Sequence, residues 1–412
     1  MKTALIAIGS ELLRPGARET HSDWLLPRLR SLGLEVVSRQ VVGDDIDAVA
    51  KAFAHARAGA RVVLATGGIG PTRDDVTRQA LARMLGRPLR RHAASEAAVR
   101  RWCRRYRIRF TGAHATQALV PEGARMLRNP AGSAPGLWVA DPRGWVIVLP
   151  GVFREMTAML RTLQPRLRRI AGKPPTFETL RTAGVGESRI DARIARVARR
   201  FPEIEVSTLA SPGEVRIQLW GGAGGARGVA SCRRGMARIL GEDLVSARGE
   251  SLEEVVHALL RRRRWRIAAA ESCTAGLLAA RLTRLPGSSR VFAGGAVCYT
   301  DAAKRRILAV SAETLRRHGA VSGAAARAMA RGAAAVFDAQ IGVSVTGIAG
   351  PGGGTTEHPV GTVHVAVVHR GVTRHRRWLL AGDREKVRVH AAALALDQVR
   401  RSLLRAFRGR SV

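Results

Sequence analysis

The sequence predicts an α/β protein built in three consecutive parts, and three observations predict it. Short β-branched runs alternate with amphipathic stretches over roughly the first 150 residues, the pattern of a parallel sheet covered by helices. A break at Gly172-Lys173-Pro174-Pro175 closes that pattern, and a smaller α+β segment follows it. At Ser251-Leu252-Glu253-Glu254 a helix-capping box opens a second α/β pattern that runs to the end. The expected segments are residues 1–170, 174–249 and 250–412.

In the first segment, residues 4–8, 35–42 and 61–65 read as strands, and 23–32, 46–58 and 74–85 as helices. The opening run Ala4-Leu5-Ile6-Ala7-Ile8 is too short for a signal or membrane span, so it reads as a buried first strand. Pro165, with the Gly-Lys-Pro-Pro break, marks a linker. The second segment holds helices at 188–200 and 230–240 and a strand at 214–220. In the third, Leu252, Val255, Val256, Leu259 and Leu260 share one helical face. Strands follow at 266–270, 291–299, 341–346 and 360–368, with Ala-rich helices between them and a last helix at 384–407.

The chain is 46% hydrophobic and 25% charged, which fits a globular protein and excludes a disordered one. A formal net charge of +37 raises a polyanion partner. Arginine is spread through every segment, however, and two Tyr with eight Phe leave little material for base-stacking platforms. Nucleic acid is therefore not expected as the primary partner, and small anionic ligands are favoured. Cys103, Cys232, Cys273 and Cys298 form no metal-type spacing, and a reducing cytoplasm without membrane attachment is expected.

Three Gly/Ser/Thr-rich turns of the third segment follow predicted strands, where open α/β sheets place ligands. They are Glu271-Ser272-Cys273-Thr274-Ala275-Gly276, Tyr299-Thr300-Asp301, and the stretch from Thr346 through Gly347, Gly350, Gly352 and Gly353 to Thr355. None matches a P-loop or a dinucleotide fingerprint, so no ATP or NAD cofactor is expected. Beside them stands Lys304, one of five lysines among 69 Lys+Arg residues. Arginine cannot give up its proton, whereas lysine can be made neutral and act as a base. A helix starting near Asp301, with Arg305 and Arg306 alongside, should lower the Lys304 pKa. Ser289 is then a candidate nucleophile and Tyr299 a relay, with Ser272, Thr274 and Thr300 as other candidate hydroxyls.

These residues, with His318-Gly319-Ala320-Val321-Ser322 and Pro359-Val360-Gly361-Thr362-Val363, resemble the nicotinamide-nucleotide amidohydrolase (PncC) domain. The resemblance implies hydrolysis of the carboxamide of nicotinamide mononucleotide to nicotinate mononucleotide and ammonia, without a cofactor. It nominates Ser289 as nucleophile, Tyr299 and Lys304 as its activators and Arg384 as a substrate contact. Glu271, Ser272, Thr274, Gly347, Gly350, Gly352 and Gly353 are the accompanying substrate-binding candidates. Ala275 departs from the family's usual glycine.

In the first segment, Thr66-Gly67-Gly68-Ile69-Gly70-Pro71-Thr72-Arg73-Asp74-Asp75 follows a strand and precedes a helix. Gly67, Gly68 and Gly70 suit an anion cradle, and Asp74 and Asp75 suit either a divalent cation such as Mg²⁺ or a helix cap. This stretch resembles the molybdopterin-binding (MoaB/MogA-like) fold, a three-layer α/β architecture. With Ile8-Gly9-Ser10-Glu11-Leu12-Leu13, Gln117 to Ala124, Asn129-Pro130, Ala134-Pro135-Gly136 and Leu149-Pro150-Gly151-Val152 it is similar to the CinA family. That resemblance covers nearly the whole chain, including Ser211 to Arg216, and implies a metal-dependent ADP-ribose pyrophosphatase activity. The segment Arg14 to His21 departs from the family pattern. A homodimer is expected; a competence- or DNA-damage-associated DNA-binding role, or a catalytically silent dimerisation module at the N-terminus, are the alternatives.

Overall fold

The computed structural model describes residues 1–222 and 224–408 of the 412, so the last four residues of the third predicted segment lie outside the described ones. The chain divides into two compact units, Met1–Pro175 and Thr176–Val412.

The first unit contains β1 (Lys2–Ile8), α1 (His21–Ser31), β2 (Glu35–Val42), α2 (Ile46–Gly59), β3 (Val62–Thr66) and α3 (Thr77–Leu85). The small elements β4 (Leu89–Arg91), α4 (Ala93–Arg105), α5 (Gly112–Thr116), β5 (Leu119–Pro121) and β6 (Arg125–Leu127) follow. Strands β7 (Gly136–Asp141) and β8 (Gly144–Leu149) and helix α6 (Phe153–Ala171) complete it. The main sheet has the order β2-β1-β3-β8-β7-β6. Its strands alternate across two cores: Ala4, Ile6, Val63 and Val148 pack with α2 and α3, while Leu5, Leu64, Ile147 and Leu149 pack with α1 and α6. That is a three-layer α/β/α sandwich.

Two expectations change here. The sheet is not all parallel, because β7 runs antiparallel to β8 and β6 to β7. Pro165 is not a linker residue: it lies inside α6, whose buried Met156, Met159, Leu160, Leu163 and Leu167 hold the helix across it. The break itself falls where Gly172 ends that helix.

The second unit begins with β9 (Thr176–Ala183), α7 (Glu187–Ala198), β10 (Ile204–Ser211), β11 (Glu214–Gly221), α8 (Ala226–Leu240) and β12 (Leu244–Ser246). These form an antiparallel sheet, β10-β11-β9-β12, that shares a core with α7 and α8 through Ile190, Ile194, Cys232 and Met236. Next come α9 (Leu252–Arg263), β13 (Ile267–Glu271), α10 (Leu277–Thr283), β14 (Phe292–Val297), α11 (Asp301–Leu308), α12 (Ala312–His318) and α13 (Gly323–Val336). Strands β15 (Ile341–Gly347), β16 (Thr362–His369) and β17 (Val372–Leu379) and helix α14 (Arg384–Arg408) end the chain. The sheet order is β14-β13-β15-β16-β17, with β14, β13 and β15 parallel and the other pairings antiparallel.

The capping box forms as the sequence predicts: Glu254 N donates to Ser251 Oγ at 3.2 Å and Ser251 N to Glu254 Oε2 at 2.7 Å. It does not separate two bodies, however. Arg400, 1% exposed, is held by Asp397 and donates to the Leu244 and Glu242 carbonyls, while Arg281 bridges Glu214 and Glu253. Removing one partner of such a buried pair costs about 3–5 kcal/mol, so these contacts join the middle segment to the last. No described helix is long and apolar enough to cross a membrane.

Candidate active site

The three turns singled out in the sequence meet at one end of the sheet, beyond the carboxyl ends of β13, β14 and β15. β13 is wholly buried, and its ladder continues past the strand, since Ser272 N donates to Val345 O and Cys298 N to Glu271 O. The side chain of Glu271 turns under the loop. Its carboxylate accepts from Gly276 N (2.9 Å), Leu278 N (3.1 Å) and Ala279 N (2.8 Å), which caps α10 and fixes the turn. At 1% exposure Glu271 has no face for a ligand, so its expected substrate-binding role gives way to a structural one. Thr274 is fully buried as well, with no hydrogen-bond partner for its hydroxyl, and does not face a ligand.

Lys304 lies on the second turn of α11, whose start is capped by Thr300 accepting from Ala303 N. The side chain folds back beneath the strand ends and is 1% exposed. Its Nζ lies 3.2 Å from Ser272 Oγ, 3.1 Å from Cys298 O and 3.4 Å from Tyr299 O. Carbonyl oxygens only accept. Lys304 Nζ donates to all three; once neutral, it gives its two N–H groups to the two carbonyls and is left to accept from the Ser272 hydroxyl, the one neighbour of the three able to donate. Burial pushes the Lys304 pKa below the ordinary lysine range, and the Asp301 carboxylate 4.0 Å away opposes this. The shift has the predicted direction and a different cause, because Arg305 and Arg306 point to solvent. The same burial pushes the Cys273 thiol up to about 12 and raises that of Cys298, which removes both as nucleophiles.

Arg384 ties the outer rim together. It donates to Gly350 O at 2.6 Å and to the Tyr299 hydroxyl at 2.7 Å, linking the glycine-rich turn to the β14 turn. Gly347 sits at the end of β15, where a Cβ would lie 2.7 Å from Thr362 O; Gly352 has open space around it. Gly350 and Gly353 have φ of +85° and +84°. Arg388, which the sequence reading missed, donates to the carbonyls of Cys273 and Thr274 and braces the first turn from α14.

Ser289 is not part of this cluster within one chain. It is exposed in a 3-10 turn, Ser288–Arg290, at the start of β14, where Ile267 N donates to Val291 O. Lys304 belongs to the other end, where Val297 pairs with Glu271. The intervening strand separates the two by on the order of 20 Å at ~3.3 Å per residue. The expected contact from Lys304 to Ser289 is replaced by one from Lys304 to Ser272.

In the first unit, Gly67, Gly68 and Gly70 line a cavity of about 380 Å³ beyond the carboxyl ends of β1, β3 and β8. Gly67 has φ +104°, and a Cβ there would fall 2.0 Å from Ile8 O, so only glycine brings the loop this close. Asp75 is a loop clamp: it accepts from Gly70 N (2.6 Å), Thr72 N (2.8 Å) and Thr72 Oγ1 (2.5 Å). Asp74 is exposed beside it, and no group of three His, Cys, Asp or Glu able to hold a metal occurs among the described residues. The expected Asp74–Asp75 cation pair therefore does not fit this geometry. Glu155, which the sequence reading passed over, also lines the cavity, its pKa raised by burial against an Asn129 hydrogen bond of 2.6 Å.

Two family models match the chain: one described as the CinA C-terminal domain at residues 249–403, the other as a probable molybdopterin binding domain at residues 4–169. A CinA-like protein of Gemmatimonas aurantiaca is 40% identical over 415 residues, covering 98% of this chain and 97% of that one. The chain belongs to the CinA family. A putative competence-damage inducible protein of Acetivibrio thermocellus is 37% identical over 410 residues, covering 98% and 99%. Among solved structures, the competence damage-inducible protein A of Klebsiella pneumoniae is 40% identical, with a TM-score of 0.36 over 38% of this chain and 98% of that one. The Lys304 cluster falls inside the CinA C-terminal match, and the Gly67–Gly70 cavity inside the MoaB/MogA-like first unit.

Proposed function

We propose that the C-terminal segment hydrolyses the carboxamide of nicotinamide mononucleotide, giving nicotinate mononucleotide and ammonia. The observation that carries this reading is the buried, desolvated Lys304 amine 3.2 Å from Ser272 Oγ. Neutral Lys304 accepts the Ser272 proton as the Ser272 oxygen attacks the amide carbon. The tetrahedral adduct collapses, the C–N bond breaks, and the Lys304 ammonium returns the proton to the departing nitrogen, which leaves as ammonia. Water then attacks the ester and gives its proton to Lys304, and the Lys304 ammonium returns it to the departing Ser272 oxygen. Ser272 is assigned the attack because its Oγ lies 3.2 Å from the Lys304 amine, whereas Ser289 stands at the far end of β14. Arg384, with the backbone of Gly350, Gly352 and Gly353, is the proposed phosphate-binding rim. No cofactor takes part, and a cytoplasmic location is proposed with it. Ammonia release from nicotinamide mononucleotide is the test: wild type turns over, Ser272→Ala and Lys304→Ala do not, and an acid-quenched acyl-enzyme carries its adduct on the peptide containing Ser272. An adduct on the Ser289 peptide would transfer the attack to that residue.

The cavity at Gly67, Gly68 and Gly70 supports a second, separate nucleotide site, with cleavage of ADP-ribose to AMP and ribose 5-phosphate as its proposed reaction. The carboxylates present do not by themselves make a cation site, so no metal step is assigned to Asp74 or Asp75. Detection of AMP with and without Mg²⁺ decides it; no AMP under either condition removes the activity.

A further inference from the structure

The second unit carries a cavity of about 330 Å³ between β17 and α14 that neither proposed reaction uses. Two periodicities build its wall. On α14, four-residue spacing stacks Gln398 and Ser402 in one row and Asp397, Arg401 and Arg405 in the next. On β17, two-residue spacing brings Arg374, Arg376 and Trp378 to the face that packs on α14. Arginine is abundant in this chain, so a cationic rim alone would signify little. The wall beneath the rim is more specific. Gln398 is 8% exposed, and its Nε2 donates to Val365 O at 3.3 Å and to Arg374 O at 2.9 Å. Carbonyls only accept, so the two fix the orientation of the amide and leave Oε1 as a buried acceptor with no donor. One turn further along α14, Ser402 Oγ is also buried without a partner. Buried polar groups are normally paired, and here two unpaired ones stand side by side in one cavity wall. The charges are unbalanced as well. Asp397, the one carboxylate of the wall, is taken by Arg400 Nε at 2.8 Å and Arg401 Nε at 2.6 Å. Arg374 and Arg376 are exposed and have no carboxylate within ion-pair distance among the described residues, and Arg376 lies 5.2 Å over the Trp378 ring.

We propose that this cavity binds a sugar phosphate, either free or as the ribose phosphate of a nucleotide. The phosphate is held by the Arg374 and Arg376 guanidiniums, whose planar sets of donors match its oxygens. A phosphate alone leaves Gln398 Oε1 unmet, because its ionised oxygens only accept. A sugar hydroxyl beside the phosphate supplies the missing donor to Oε1, and the Ser402 hydroxyl donates to a second sugar oxygen. Trp378 gives the carbon face of the sugar an apolar wall. The volume lies at the small end of the roughly 300–1,000 Å³ range of ligand cavities, as a compact ligand requires.

Arginine modification by phenylglyoxal on the full chain tests this, read by peptide mass spectrometry at Arg374 and Arg376, so that a ligand held elsewhere on the chain leaves the signal unchanged. Ribose 5-phosphate, AMP, inorganic phosphate and ribose are compared as protecting ligands. Ribose 5-phosphate or AMP should protect both arginines at a concentration about tenfold below that of inorganic phosphate, the effect of one added hydrogen bond to a buried group, and ribose should not protect. Whichever of the two protects at the lower concentration names the source, and equal protection means that the ribose phosphate alone is read. Gln398→Leu should bring ribose 5-phosphate to the level of inorganic phosphate. Ser402→Ala removes a single hydroxyl, should keep the circular dichroism and the ammonia release of the wild type, and should weaken ribose 5-phosphate about fivefold while leaving inorganic phosphate unchanged. No protection by ribose 5-phosphate or AMP overturns the proposal. Protection by inorganic phosphate at the same concentration, or a preference that survives in folded Ser402→Ala, overturns it equally.

Discussion

Lys304→Arg separates charge from basicity at the one position where the structure distinguishes them. The lysine nest is closed: three partners lie within 3.1–3.4 Å of Nζ, and the residue is 1% exposed. A guanidinium stays charged at every usable pH and takes no proton from Ser272. General base catalysis contributes about 10²–10⁴-fold, so kcat/KM for ammonia release should fall by that factor, about 2.7–5.5 kcal/mol of transition-state stabilisation. The larger side chain also overpacks the nest, at about 1–3 kcal/mol of folding stability. Lys304→Met, which keeps length and removes charge, is the companion variant, equally inactive and better folded. The wild-type rate should rise with pH through the lowered Lys304 pKa and flatten below the ordinary lysine value of about 10.4, because the active form is deprotonated. In the same window the unfolded chain binds the extra proton, so wild-type stability relative to Lys304→Met should rise with pH. Steady-state ammonia assays across pH, with urea unfolding of each variant, read both effects. A folded Lys304→Arg enzyme with more than about a tenth of wild-type activity and the same alkaline limb would refute the base assignment.

Ala275 adopts φ +46°, a left-handed conformation that disfavours a Cβ, so Ala275→Gly should stabilise the protein by about 0.5–1 kcal/mol in urea unfolding without lowering turnover. Glu271→Gln leaves too few acceptors for three backbone N–H groups and should cost about 1.5–3 kcal/mol, with a loss of turnover as the Ser272 turn loosens. Because burial pushes Cys273 up to about 12, N-ethylmaleimide at pH 8 should leave ammonia release intact; rapid inactivation with a single adduct on Cys273 would mean that the turn opens in solution.

What the sequence disclosed and what it hid have a common physical basis. Strand ends followed by Gly/Ser/Thr turns are local features, so the turns at Glu271, Tyr299 and Gly347 were legible, and so was a lysine kept in an arginine-rich chain. Partners across strands are not local. Which hydroxyl Lys304 meets is set by β13 lying beside β14 with Glu271 level with Val297, and that register brings Ser272 to the amine from 32 residues away. β17 escaped notice because an edge strand covered by arginines shows no apolar alternation. Pro165 misled because one helix breaker was weighed against local propensity, not against the five buried apolar residues that carry α6 through it. The pairing of Ser289 with Lys304 failed for a reason the sequence did contain. A serine before a six-residue strand and a tyrosine after it must stand at opposite ends of a sheet, so ten residues of spacing meant distance and not proximity.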